Sequence, residues 1–383
     1  MPAPEAGKTV VLDRPSLDRL VDVLIAEGYR VIGPTVRDNA IVLAELDSAQ
    51  QLPAGWGVET GPGHYRLQRR NDEAVFAHSA GPQGWKQFLH PPRRKLWSAG
   101  RGGGFTAPEP DPACYAFLGV RGCDLAAIAT LGGVLGGGRH PDGTFTRVRS
   151  GLFVIAANCT EPGGVCFCAS MGTGPAAGPG YDIALTEQTG RPGHRFIAEP
   201  GSAEGARVLA MIPHRDPWPG EVASARAEVA GAADRMGRQM PSVDLPALIR
   251  DSRESPHWQD VASRCLTCGN CTMVCPTCFC TTTEDVTDLT GDHAERWQRW
   301  ASCFELDFGY IHGGSVRQSG ESRYRQWISH KLGTWHDQFG TSGCTGCGRC
   351  VAWCPVGIDI TAEVASLAEL AEPGDQAGGG EQR

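Results

Sequence analysis

Two short runs of cysteine carry the clearest chemistry in this sequence. Cys265 to Pro276 reads C-L-T-C-G-N-C-T-M-V-C-P, and Cys344 to Pro355 reads C-T-G-C-G-R-C-V-A-W-C-P. Both follow C-x2-C-x2-C-x3-C-P, a spacing that wraps a [4Fe-4S] cubane. Three thiolates, each separated from the next by two residues, turn a short loop around one face of the cube. The fourth, ahead of a Pro that favours extended or turning backbone, points away to a partner cluster. On that geometry Cys265, Cys268, Cys271 and Cys354 hold one cluster, and Cys344, Cys347, Cys350 and Cys275 hold a second. Gly269 and Gly348 follow the second cysteine of each run, where a missing side chain lets backbone N–H groups approach the sulfurs.

Zinc is the competing metal, since C-x2-C pairs also bind it. Zinc sites spread their ligands as two separated pairs, whereas each run here puts four cysteines within eleven residues, followed by Pro. That favours clusters over zinc, and over disulfides in a reducing compartment. Clusters held this way cross-link segments about eighty residues apart, so the region folds only with metal bound.

A third cysteine set is less regular: Cys123, Cys159, Cys166 and Cys168. Cys123 follows the apolar run Cys114 to Val120, and Cys159 follows Gly151 to Ala157; both runs read as buried strands. Functional groups gather at the carboxyl ends of such strands. A third Fe–S cluster, with Asp124 as an alternative oxygen ligand, stands beside two other readings: a four-thiolate zinc site and small buried hydrophobes. Cys278, Cys280 and Cys303 lie between the two runs and could ligate, support cluster sulfurs or simply pack.

The elements that must position these groups are many and short. The chain has 383 residues, 51 Gly and 27 Pro, with 41% hydrophobic residues, which argues for turns and loops over long helices. Residues 1–15 read as frayed. A helix is expected from Leu17 to Ile25, capped by Asp13 or Ser16 and ended by Gly28, then strands at 29–33 and 40–46. Residues 55–63 read as a loop, and 65–69 with 74–77 as a hairpin turning at Asn71-Asp72. Arg93, Arg94 and Lys95 read as a solvated basic face, or else a docking patch for an acidic partner. Further helices are expected at 203–211, 221–236, 244–252, 324–332 and 358–370. Another, around 296–300, would use its tryptophans to shield the clusters.

The fold class is therefore α+β: an N-terminal α/β region followed by a mostly helical ferredoxin-like domain with two [4Fe-4S] clusters. The expected domains are 1–105 (α+β), 106–240 (α/β, with the third cysteine set), 241–371 (two-cluster) and a disordered tail at 372–383. The net charge of −8, without a Lys/Arg block, argues against nucleic-acid binding. No apolar run approaches ~18 residues and no secretory signal is seen, so a cytoplasmic chain without direct membrane insertion is expected. There is no G-x-G-x-x-G at a strand–helix turn, no Walker loop and no Ser–His–Asp pattern. Such a chain reads as a non-catalytic relay between other subunits.

An ordered set of segments resembles a known family. They are G-V-R-G-C-D-L-A-A-I (119–128), N-C-T-E-P-G-G-V-C-F-C-A-S-M-G (158–172), the run at 265–280, W-A-S-C (300–303) and the run at 344–360. Together they resemble the beta (iron–sulfur) subunit of cytoplasmic NAD(P)-linked [NiFe] hydrogenases, or sulfhydrogenases. They are also similar to the electron-entry subunit of anaerobic sulfite reductase. The first resemblance implies partners: hydrogenase small and large subunits, and a gamma subunit that carries FAD and binds NAD(P). This chain would relay electrons between them. The second implies electron entry to a sulfite or sulfur reductase, and a zinc-bound structural scaffold is the reading from another class. The sequence departs from the family form at Gly122, where Pro is usual.

Overall fold

The computed structural model describes residues 7–79, 81–109, 114–190 and 193–371. The expected disordered tail lies outside them. The fold mixes helix and strand. In chain order the strands are β1 (Val10–Asp13), β2 (Tyr29–Arg37), β3 (Ala40–Glu45), β4 (Trp56–Gly61), β5 (His64–Arg69), β6 (Arg93–Gly100) and β7 (Phe105–Thr106). They continue with β8 (Cys114–Val120), β9 (Phe153–Ala157), β10 (Ile183–Gln188), β11 (Arg195–Pro200), β12 (Thr281–Thr287) and β13 (His293–Trp300).

Seven strands form one sheet in the order β1-β11-β10-β9-β8-β2-β3. Its centre, β10, β9, β8 and β2, is parallel, and its outer pairings are antiparallel. The two middle strands, β8 and β9, are apolar throughout because both faces are covered. Alternate residues serve opposite layers: Leu118 and Ile155 pack with Leu17, Leu20 and Leu24, while Phe117 and Val154 pack with Leu125, Ile128 and Phe145. The helix Arg14–Ala26 starts where the Asp13 side chain accepts from Ser16 N at 2.9 Å. Gly28, at φ +88°, follows its end. One sheet thus draws strands from both sides of the boundary expected at 105.

Several local expectations change. Residues 10–13, read as part of a frayed start, form β1. The hairpin is β4–β5, turning at 62–63, so 55–63 is mostly strand. Residues 74–77 form no strand, because Val75 N and Phe76 N each donate at 2.7 Å to the buried Glu187 carboxylate. A side chain 112 residues away takes the backbone groups that a ladder would need. Residues 293–300 are strand β13, not helix, paired to β12 and β6. Trp297 and Trp300 therefore stack under Arg93 and Lys86, at 4.3 and 3.8 Å. Arg93 to Lys95 is no free basic face: Arg94 pairs with Asp142 and Lys95 with Glu295 across the sheet.

The remaining core is helical and surrounds the cysteine runs. Trp258, Phe304, Tyr324, Trp327, Leu332 and Val351 are buried together there, with Cys265, Cys271, Cys350 and Cys354 packed against them.

Candidate iron–sulfur sites

The two cysteine runs adopt the same backbone path. Each turns twice through the left-handed region: at Thr267 (φ +50°) and Gly269 (φ +74°) in the first run, at Gly346 (φ +66°) and Gly348 (φ +73°) in the second. Gly269 and Gly348 cap four-residue helices, Asn270–Met273 and Arg349–Ala352. Glycine is needed at 348 for a second reason. A Cβ there would come within 2.3 Å of Val165 O.

Cys265, Cys268, Cys271 and Cys354 line one cavity, walled by Phe304, Tyr324, Trp327 and Ile358. Cys268 is exposed, and Leu266 and Val356 beside it are 61% and 42% exposed. Cys344, Cys347, Cys350 and Cys275 form the next group, with Cys350 feeling all three partners. Cys350 also borders the first cavity, and the charge of Cys271 reaches it.

The third set also converges. Val120 pairs with Ala156 in parallel, so β8 and β9 end side by side and release Cys123 and Cys159 at their shared carboxyl end. Cys123 enters the first turn of the helix Gly122–Leu135, a position that favours negative charge. Its thiol contacts Cys168, and Cys166 senses both Cys123 and Cys159. Gly122 is tightly covered: a Cβ would meet Ala176 O at 2.5 Å, so the loop after Cys168 is pressed onto this residue. Asp124, an alternative ligand on sequence grounds, gives both oxygens to Arg349 at 2.6 and 3.1 Å. That ion pair is buried, with side chains 3–4% exposed. It ties the third set to the second run, where Phe167 N also donates to Gly346 O at 2.9 Å.

Burial raises most of these thiols, Cys344 to about 12 and Cys347 to about 11. Metal binding must displace those protons. Cys275 shifts the other way. A hydrogen bond from Cys278 pulls its thiol well below the usual range, helped by Lys331 and Thr277 against burial. The Lys331 ammonium donates to Cys275 Sγ at 3.3 Å, Thr277 Oγ1 at 3.1 Å and Gly343 O at 2.9 Å. It reaches them because the helix expected over 324–332 changes at Ser329 into a π-helical stretch, Ser329–Thr334. Lys331 was not legible in sequence as part of the site.

The thiol spacing suits clusters better than zinc. Sulfurs around tetrahedral zinc stand about 3.8 Å apart, from a Zn–S bond of roughly 2.3 Å. Among the described residues no three cysteine sulfurs lie within 4.8 Å of one another. The tight trio that does exist, His257, Asp260 and Glu363, has Arg264 3.1 Å from Glu363 and reads as an ion-pair network.

Residues 264–358 match the 4Fe-4S dicluster domain family. The chain is 30% identical to sulfhydrogenase 2 subunit beta of Pyrococcus furiosus over 254 residues, 64% of this chain and 71% of that one. The chain belongs to the sulfhydrogenase beta-subunit family. It is an iron–sulfur, electron-transfer chain, and it carries [4Fe-4S] clusters. No solved structure matches it. Among the described residues no helix is long and apolar enough to cross a membrane.

Proposed function

We propose that this family member relays electrons within a hydrogenase complex along three cysteine sets arranged in a line. The first end is Cys123, Cys159, Cys166 and Cys168; the middle is Cys344, Cys347, Cys350 and Cys275; the far end is Cys265, Cys268, Cys271 and Cys354. The observation that carries this reading is contiguity. Cys166 neighbours Cys347, and Cys350 neighbours Cys271. When bound, the clusters supply the one-electron carriers. The chain's residues hold them, keep water away and set their electrostatics.

The carboxyl end of β8 and β9, where Cys123 and Cys159 follow, and the exposed rim at Leu266, Cys268 and Val356 are the two ends of the line. The relative's name implies other hydrogenase subunits, and the family resemblance suggests which would dock there: hydrogenase small and large subunits on one end, an FAD- and NAD(P)-binding gamma subunit on the other. The chain itself needs no substrate pocket. The domain division we favour keeps residues 241–371 as the two-cluster unit, braced by β6 and by the β4–β5 hairpin.

The test is coupled turnover in the purified complex, H2 oxidation with NAD(P)+ reduction, with Cys350→Ala and Cys166→Ala. Each variant should abolish coupled turnover and spare hydrogen oxidation with an artificial dye. Unaffected coupled turnover in Cys350→Ala would sink the relay assignment. If only Cys166→Ala were silent, the line would begin at the second set. A sirohaem partner instead of a nickel subunit would overturn the hydrogenase assignment.

A further inference from the structure

Four cysteines remain outside these sets: the exposed Cys114, and three that lie close to the clusters. Cys278 and Cys280 follow Cys275 in C-P-T-C-F-C, and Cys303 follows β13. Strand pairing brings them together: Thr281 faces Trp300, and Ala301 N donates to Cys280 O at 2.9 Å. All three line one cavity of about 300 Å³, whose walls include Phe279, Phe308 and Trp335.

The cavity opens to solvent past the exposed Thr334 and Gln338, and the three thiols converge on its inner side. The space enclosed by Cys265, Cys268, Cys271 and Cys354 is about 30 Å³, so room is no obstacle to a cofactor here. Burial raises the Cys280 and Cys303 thiols, the latter to about 12, and Lys331 and Arg317 offset that only in part, so a metal must displace their protons. The cavity also abuts two of the sets already described. Cys278 touches Cys275 of the middle set, and Cys303 neighbours Cys271 of the far set.

We propose that Cys278, Cys280 and Cys303 hold a further iron–sulfur cluster in this cavity. The chain would give the cluster three cysteine ligands, and the His330 imidazole lines the same cavity. The sulfurs are too widely spaced for one tetrahedral zinc ion. A cluster here stands beside the junction of the middle and far sets and off the line, as a one-electron store at that junction. The site does not depend on which partners the chain serves.

The experiment compares the full-length protein, purified anaerobically, with its Cys280→Ser/Cys303→Ser variant. Iron, acid-labile sulfide and zinc are counted per chain, and EPR is recorded after reduction. The variant should lose about three to four irons with matching sulfide, while the other cluster signals persist. Unchanged iron, or loss of zinc without iron, overturns the proposal. Should the variant fail to fold, the parent decides. Iodoacetamide is applied to the native, iron-loaded chain and the modified thiols are mapped by mass spectrometry. Cys280 and Cys303 should stay unmodified while the exposed Cys114 reacts. Their alkylation in the iron-loaded chain overturns the assignment. Failure of the hydrogenase reading would alter neither count nor map.

Discussion

Replacing Lys331 by Met should lower the reduction potential of the cluster assigned to Cys344, Cys347, Cys350 and Cys275. Lys331 is 3% exposed and its ammonium lies 3.3 Å from Cys275 Sγ. Burial alone would favour the neutral amine, but attraction to the sulfurs, that of Cys275 first, outweighs it and holds the amine charged. The same attraction acts in the other direction: a fixed positive charge stabilises the more negative, reduced state of a neighbouring cluster. Cluster charge is spread beyond the ligating sulfur, so a separation of roughly 6–7 Å is appropriate. With an effective dielectric of about 20 the interaction is then about 2.5 kcal/mol. At 59 mV per tenfold change for one electron, that is on the order of 100 mV. Methionine keeps most of the volume and removes the charge. The assay is an EPR-monitored redox titration of parent and variant, with iron counted to show that no cluster is lost. A downward shift of tens of millivolts or more in one cluster is expected. A shift under about 20 mV, or an upward one, would refute the reasoning.

Two further outcomes follow from charge. Asp124→Asn strands the Arg349 guanidinium in a buried site and should cost about 3–5 kcal/mol, read by anaerobic denaturant unfolding of the iron-loaded protein. Glu221 has its carboxyl pulled down to about 2, chiefly by hydrogen bonds from Arg215 and against burial. A pKa depressed on folding contributes stability above the unfolded value near 4.3 and sheds it as pH falls toward 2. After screening, about 1–2 kcal/mol is at stake. Glu221→Gln should remove that acid-dependent share from unfolding curves taken between those limits, and an unchanged slope would discount the pair.

The cysteine runs were legible because their chemistry is local. Thiols at i, i+3 and i+6, with a proline after the fourth, report a loop that wraps a cluster whatever surrounds it. The apolar runs 114–120 and 151–157 were legible for a similar reason, since a strand buried on both faces has no alternation to confuse it. Long-range partners defeated the other readings. The segment 74–77 has strand composition, yet its N–H groups belong to Glu187. The alternation in H-A-E-R-W-Q-R-W is masked by long polar side chains that pair only across β6 and β12. Arg94 and Lys95 look like surface charge until Asp142 and Glu295 arrive from distant segments.

The sequence by itself determined that the chain carries [4Fe-4S] clusters, and that eight cysteines are spaced for two of them. Only the tertiary structure decided how the sets meet. Thr267 and Gly346 hold equivalent places in the two runs, both at positive φ. Threonine is tolerated at 267, whereas a Cβ at 346 would come within 2.6 Å of the Cys168 backbone. That contact joins the second run to the third set, and no spacing within either segment encodes it. It arises because parallel strands bring Cys123 and Cys159 to one end of the sheet, and the Asp124–Arg349 pair clamps the second run against that end.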